Sequence, residues 1–327
     1  MTKLLVTGGL GFIGSNFILN VLKKHADFTI LNVDSETIGS NHESLSEINS
    51  SENYTFVKGD ITDSTLMNDL ISGCDVVVNF AAESHVDRSI SDAKPFIDSN
   101  ILGVFTILEI LKKHKKKFLQ ISTDEVFGSI NSGSATENFK LNPSSPYSSS
   151  KGAAELLVNS YVVTYGVDAF ITRCTNNFGP RQFPEKLIPK TILLANQNKK
   201  IPIYGSGKSI RDWIFVDDHC NALMKIIFDG QPGESYNISA CNEYDNLTVV
   251  KKILAIMDKP DDLLNFVQSR PGEDIRYSMD SSKTRSNFHW KPEVNFEEGI
   301  QNTVDWYLKN KAWWQNLDSK SLSSIYS

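Results

Sequence analysis

The stretch KLLVTGGLGFIGSNFILNVLKKH, residues 3–25, decides the fold. Its apolar run Leu4 to Val6 predicts a short strand buried on both faces. SNFILNVLKKH, which ends the stretch, predicts an amphipathic helix. Between the two stand Gly8, Gly11 and Gly14, spaced GxxGxxG. Glycines at a strand-to-helix turn let backbone N–H groups approach a pyrophosphate, which the helix N-terminus also favours. The context, strand then helix, is what makes the triplet a dinucleotide signal.

Outward from that turn, short apolar runs alternate with helical segments. TILNVD, TFVKGD, DVVVNFAA and KFLQIST read as strands two to five, and AFITRCTNNFG as a sixth. A helix is expected from about Asp98 to Lys113 and another after Tyr147. This alternation predicts an α/β chain, a doubly wound parallel Rossmann sheet with a smaller C-terminal substrate-binding lobe. We expect residues 1–178 to form the dinucleotide domain, with a return segment near 211–240. Residues 179–327 would form most of the second lobe, since GPRQFPEKLIPK breaks the pattern with three prolines. The serine-rich end LDSKSLSSIYS is expected to fray.

Composition narrows the function. The 327 residues suit about two domains, at ~150 residues each. A hydrophobic share of 40% and a charged share of 22% are those of a soluble globular protein. A formal charge of −6 argues against nucleic acid as a partner. The basic run Lys112–Lys117 reads as a solvated helix end. No apolar run approaches the ~20 residues of a membrane span, and MTKLLVTGG is too soon interrupted for a signal peptide, so we expect a cytoplasmic protein. The four cysteines and six histidines are scattered, which predicts reduced thiols and no metal site.

Three strand ends add cofactor contacts. Asp34 lies 20 residues past Gly14, the spacing of a carboxylate that bonds ribose hydroxyls and repels the extra phosphate of NADP. NAD is therefore the expected cofactor. Asp60 and Ile61 offer a rest for adenine, and Ala81 and Ala82 allow close approach of the cofactor. Tyr147 and Lys151, four apart, share one helix face. A phenol with a pKa near ~10 is a poor base, and a neighbouring ammonium would lower it. Behind a dinucleotide turn this pair reads as a proton relay for hydride transfer.

Seven stretches, TGGLGFIGSN, AAESHVDRSI, STDEVFG, PYSSSK, NNFGPRQFPEKLIPK, RDWIFVDDH and RPGEDIRY, resemble the extended short-chain dehydrogenases/reductases acting on nucleotide sugars. They stand in that family's order from Thr7 to Tyr277, and most resemble the dTDP-glucose 4,6-dehydratases. The Thr123-Asp124-Glu125 trio is the specific part, since the related epimerases lack the acid pair.

The resemblance implies a lyase with NAD as a recycled cofactor, converting dTDP-glucose to dTDP-4-keto-6-deoxyglucose. Tyr147 and Thr123 match the groups serving C4 oxidation, Glu125 the base at C5 and Asp124 the acid for the C6 hydroxyl. Phe12, Ile13, Thr37, Ser99 and Asn100 match cofactor positions. Ser84, Asn177, Lys186, Leu187, Pro202, Tyr204, Arg211, Asn246, Arg270 and Asp274 match substrate positions. A homodimer through the helices near Asn100 and Lys151 is implied as well.

The chain departs from the family pattern at Thr37–Asn41, at Phe127 and at Glu273. Two rivals are a UDP-sugar epimerase or decarboxylase, against which the trio argues, and a non-catalytic NAD-binding protein, against which Tyr147 and Lys151 argue. One geometric demand is open. Neighbours on a strand point to opposite faces, so Asp124 and Glu125 reach one sugar only if the backbone leaves the strand at Asp124.

Overall fold

The computed structural model describes residues 1–269 and 271–317. Its strands are β1 (Thr2–Thr7), β2 (Phe28–Asp34), β3 (Tyr54–Lys58), β4 (Val76–Asn79), β5 (Lys117–Thr123), β6 (Ala169–Cys174), β7 (Asn176–Phe178), β8 (Ile201–Tyr204), β9 (Ile210–Phe215), β10 (Ser235–Ile238), β11 (Glu243–Asp245) and β12 (Leu264–Val267). The helices are α1 (Phe12–Lys24), α2 (Ser64–Ser72), α3 (Val86–Ser91), α4 (Lys94–Ile97), α5 (Val104–His114), α6 (Pro146–Tyr165), α7 (Leu187–Asn196), α8 (Val216–Asp229), α9 (Asn246–Ile256), α10 (Ser282–Phe288), α11 (Phe296–Lys309) and α12 (Lys311–Gln315).

Seven strands pair in the order β10-β6-β5-β4-β1-β2-β3, all parallel. The doubly wound sheet is thus present. β1 shows why its strands carry no polar face. Leu4 and Val6 face α1 and α8 with Phe17, Ile18, Leu223 and Ile226. Leu5, between them, faces α2, α5 and α6 with Met67, Leu108 and Val158. Alternate side chains of one strand enter two separate cores, so an apolar run is required. The chain order reverses between β1 and β4. Crevices outside the carboxyl ends of strands at such a switch are where ligands bind in open α/β sheets.

The predicted sixth strand is two. β6 stays in the large sheet, whereas β7, one residue later, pairs with β9 in a three-stranded sheet completed by antiparallel β11. β8 and β12 form a parallel pair. This smaller lobe has its own cores: Phe178, Trp213, Phe215, Phe296 and Ile300 in one, Leu194, Ile201, Ile203 and Leu254 in another. Within 211–240, β9 belongs to the small sheet and α8 and β10 to the large one.

The predicted helix from Asp98 is also compound. Asp98–Gly103 is π-helical and links α4 to α5. Lys112, Lys113 and His114 fill the last turn of α5, where cations suit the dipole, and Lys115 takes a left-handed conformation (φ 48°) that ends the helix. Helix α6 starts from a capping box, Ser145 and Ser148 satisfying each other's backbone, with Pro146 in the first turn. That cap sets the phase at which Tyr147 and Lys151 leave the helix.

Candidate active site

At the carboxyl edge of the large sheet lies a cavity of about 920 Å³. Its dinucleotide end is the β1–α1 turn. Gly8 has φ +69°, and a Cβ there would meet Ala81 N at 2.6 Å; a Cβ on Gly14 would meet Gly8 O at 2.5 Å. The turn is closed so tightly that only hydrogen fits at these positions, which leaves backbone facing the cavity. Asp34, 6% exposed, accepts from Leu10 N (3.0 Å), Glu36 N (2.9 Å) and Ser40 Oγ (2.7 Å). A carboxylate has about four acceptor positions, so one is left for a ribose hydroxyl. This cradle fits a dinucleotide. Gly11, Phe12, Ile13, Thr37, Asp60, Ile61, Ala81, Ala82 and Ser99 line the same end. Asn100 lies just behind the wall: it accepts from Glu83 N (2.9 Å) and donates to Glu83 O (3.0 Å) and Ser150 Oγ (2.8 Å), tying the end of β4 to α6.

The reacting end is built where β5 stops. Thr123 is still extended (φ −145°), and Asp124–Phe127 form one 3₁₀ turn. Thr123 caps that turn by accepting from Glu125 N at 3.3 Å, and Gly128 (φ +66°) ends it. The demand raised above is met: the backbone leaves the strand at Asp124, and Asp124 and Glu125 both line the cavity with Thr123, Tyr147 and Lys151. Burial and the neighbouring Glu125 carboxylate push the Asp124 carboxyl well above the usual range. Its Oδ2 is buried without a hydrogen-bond partner, as suits a protonated acid with a proton to give.

The Tyr147–Lys151 pair differs from expectation. Burial and Glu125 push Tyr147 well above its ordinary value, opposed by a hydrogen bond to Thr123. Lys151 Nζ donates to Ile121 O at 2.6 Å, and burial pulls its pKa down to about 8. The ammonium is held by the β5 backbone, so its effect on the phenol is smaller than desolvation.

The substrate positions divide. Ser84, Asn177 and Lys186 line the cavity, and Lys186 Nζ donates to Ser84 O at 3.1 Å. Arg211 and Asp274 lie outside the wall but in contact: Arg211 donates to Asp274 O (3.0 Å), stacks 4.3 Å from the Tyr277 ring and lowers Asp124 electrostatically. Leu187, at the start of α7, packs into the small-lobe cores. Pro202 and Tyr204 are on β8, paired with β12, and Asn246 opens α9; none of the three lines the cavity. Arg270 lies outside the described residues. Of the departures, Thr37 to Ser40 line the dinucleotide end, and Phe127 packs in the small core with Val126 and Ile130. Glu273 accepts from Ser209 Oγ at 2.8 Å.

Sequence reasoning missed one cluster. Glu185 accepts from Arg88 Nη2 at 3.1 Å with His85 Nε2 at 3.7 Å, joining the β4 exit to the proline-rich segment across the cavity. The one signal in the chain was that HVDR follows a strand end; the partner is 97 residues away.

The chain matches the model of the GDP-mannose 4,6 dehydratase family over residues 5–303. It is 43% identical to a dTDP-glucose 4,6-dehydratase of Neisseria meningitidis, over 97% of this chain and 96% of that one. Among solved structures, a dTDP-glucose 4,6-dehydratase of Bacillus anthracis in complex with NAD superposes with a TM-score of 0.91 at 42% identity, covering 97% of this chain and all of that one. One from Streptomyces venezuelae, also with NAD bound, gives 0.95 at 39% identity over 97% of this chain and all of that one.

Proposed function

The chain belongs to the nucleotide-sugar 4,6-dehydratase family, and from that membership we propose that it dehydrates dTDP-glucose to dTDP-4-keto-6-deoxyglucose. It is a lyase, and its cofactor is NAD. The observation that carries this reading is the 3₁₀ turn that delivers two carboxyls, one pushed toward its neutral form, beside a tyrosine in one cavity. Incubating the protein with NAD and dTDP-glucose tests it. A 4-keto-6-deoxy product is expected, and a C4 epimer or no turnover would overturn it.

Held by the β1–α1 turn and Asp34, NAD would supply the hydride chemistry needed at C4 and C6. Tyr147 takes the proton of the C4 hydroxyl, and Thr123 hydrogen-bonds the same oxygen. The C4 ketone acidifies C5–H, which Glu125 removes. Asp124 gives its proton to the C6 hydroxyl, which departs as water. C5 regains a proton from Glu125. Base and acid stand next to each other in sequence, and burial raises the proton affinity of Asp124. Lys186 on the cavity wall provides a cation for the diphosphate, and the family positions that Arg211 and Arg270 match assign them to the same group. We assign residues 1–174, with the return of α8 and β10 inside the expected 211–240, to the dinucleotide lobe, and β7, β9 and most of the rest to the sugar-nucleotide lobe.

Asp34 sets the choice of dinucleotide. Its carboxylate and the extra phosphate of NADP repel each other. Asp34→Ser should weaken NAD binding and shrink the preference over NADP by about tenfold or more, a ~1.4 kcal/mol effect. Titration of the protein with both dinucleotides measures it; an unchanged ratio would remove Asp34 from the role.

The active form is a cytoplasmic homodimer. Among the described residues no helix is long and apolar enough to cross a membrane. Helices α5 and α6 pack together and both stretches carry exposed apolar side chains: Leu156, 63% exposed, and Val163, 87% exposed, on α6, Phe105 on α5 and Leu102 just before it. Light scattering should give twice the chain mass for the wild type and a single chain for Leu156→Glu/Val163→Glu. A monomeric wild type would sink this assignment.

A further inference from the structure

Asn177 sits on β7, where the large sheet gives way to the small one, and lines the cavity with 8% exposed. Every end of this residue is held. Its Nδ2 donates to Thr175 O at 3.0 Å, and the same side chain hydrogen-bonds the Cys174 thiol. Both of those residues line the cavity. Its backbone carbonyl accepts from Gln182 Nε2 at 2.9 Å, and the Gln182 carbonyl accepts in turn from the Tyr307 hydroxyl of α11.

The remaining end points away from the cavity. Asn177 Oδ1 lies 2.9 Å from Nδ1 of His219, which is fully buried on α8. An amide oxygen only accepts, so the imidazole proton is on Nδ1. Nε2 is then an acceptor, and it is buried with no partner. Burial pulls the ring pKa down to about 3, so His219 stays neutral and this tautomer persists over the working range.

The two ends of an amide group have nearly one shape and opposite polarity, and only their partners decide which way round it sits. We propose that His219 is a positioning residue for Asn177: by engaging the amide oxygen from α8, it keeps the amide nitrogen on the cavity side, where the hydrogen now shared with the Cys174 thiol, a weak acceptor, can pass to an oxygen of the bound nucleotide sugar. The ligand group so recognised is acceptor-only, a diphosphate or sugar-ring oxygen. Without the imidazole donor, Oδ1 is left buried and unpaired and the Thr175 carbonyl alone orients the amide, so the donor toward the ligand is no longer fixed. The inference rests on the nucleotide-sugar reading of the cavity. It adds a residue that touches neither substrate nor cofactor.

The test uses the full chain with NAD and dTDP-glucose, comparing wild type, His219→Leu and His219→Asn. Leucine removes the donor and keeps an apolar fit. Asparagine keeps an N–H one bond from Cγ, where Nδ1 is. An interaction made equally in ground and transition states acts on KM. His219→Leu should therefore raise KM about tenfold, the scale of one lost hydrogen bond, with a much smaller change in kcat. His219→Asn should bring KM back to within about threefold of wild type. In an Asn177→Ala background, His219→Leu should add nothing further to KM, because the group it positions is gone. If the leucine variant does not fold, His219→Met fills the space with a more adaptable side chain and carries the same expectation.

Unchanged KM in folded His219→Leu, with wild-type turnover present, would overturn this inference alone. Additive effects of the two substitutions would overturn it as well. Failure of both apolar variants to fold, with His219→Asn folded, would make the donor a requirement of the fold and reject a role toward substrate. Absence of wild-type turnover would overturn both this inference and the dehydratase reading beneath it.

Discussion

Tyr147→Phe is expected to lower kcat by about 10²–10⁴, the contribution of a positioned proton-transfer group. The loss should fall on the first chemical step. With no base for the C4 hydroxyl proton, reduced dinucleotide should not build up after mixing with dTDP-glucose. The ring itself is kept. It packs edge-on against Phe96 at 6.3 Å and is 8% exposed, so phenylalanine preserves the packing and the melting temperature should move little. The hydroxyl is also where burial and Glu125 oppose ionisation. That opposition disfavours the free phenolate before substrate is bound. Stopped-flow absorbance of the reduced dinucleotide decides the matter. A Tyr147→Phe protein that still reduces the dinucleotide at the wild-type rate would place the base elsewhere.

Glu125→Gln should produce the opposite stall. Oxidation at C4 precedes removal of the C5 proton, so the first step should proceed and the reaction should halt at the 4-keto hexose with reduced dinucleotide. Turnover should fall by about 10²–10⁴. Incorporation of deuterium at C5 from heavy water should vanish with it. The amide keeps the volume of the carboxylate, and Thr123 Oγ1 still accepts from the residue's backbone N–H, so the 3₁₀ turn is preserved. The same measurement on Asp124→Asn is a built-in contrast. That variant keeps the C5 base, so exchange should persist while water is no longer expelled. Burial and the Glu125 carboxylate raise the Asp124 pKa, which favours its protonated form. Its competence as an acid declines only as pH climbs through that raised value. Equal loss of dinucleotide reduction in Tyr147→Phe and Glu125→Gln would return Glu125 to a structural role.

Local chemistry explains which parts were legible in the chain. Strands entering two cores must be apolar throughout, and the glycines of the first turn are demanded by contacts of 2.5 to 2.6 Å that no side chain survives. Both facts leave marks in the sequence itself. The 3₁₀ turn left a mark too: threonine followed by two acidic residues is an N-cap with a charged first turn. Within a regular strand the same two acids would point to opposite faces. The break at Thr175 left none, because β6 and β7 are equally strand-like and differ only in their partners, β5 and β9. Lys151 is a similar case. Its spacing from Tyr147 is local, but the carbonyl that holds it belongs to Ile121, 30 residues earlier. Asn177 with His219, and Glu185 with Arg88, are pairs 42 and 97 residues apart that no periodicity could join.

The π-helical segment Asp98–Gly103 has a consequence for how this chain can change over time. A π turn holds one residue more than the α-helix around it, and here that surplus sits on the stretch that aims Asn100 at Ser150 and Glu83. The wide turn absorbs that surplus locally, so the helix beyond it keeps its phase and Ile107, Leu108 and Leu111 stay on the core face. Losing one residue here would tighten this turn alone. The cost would fall on Asn100, whose aim at Ser150 and Glu83 is set inside the turn, and on Gly103, where a Cβ would come within 2.3 Å of Ile61. A change of length at this point is therefore a change to the site and not to the fold.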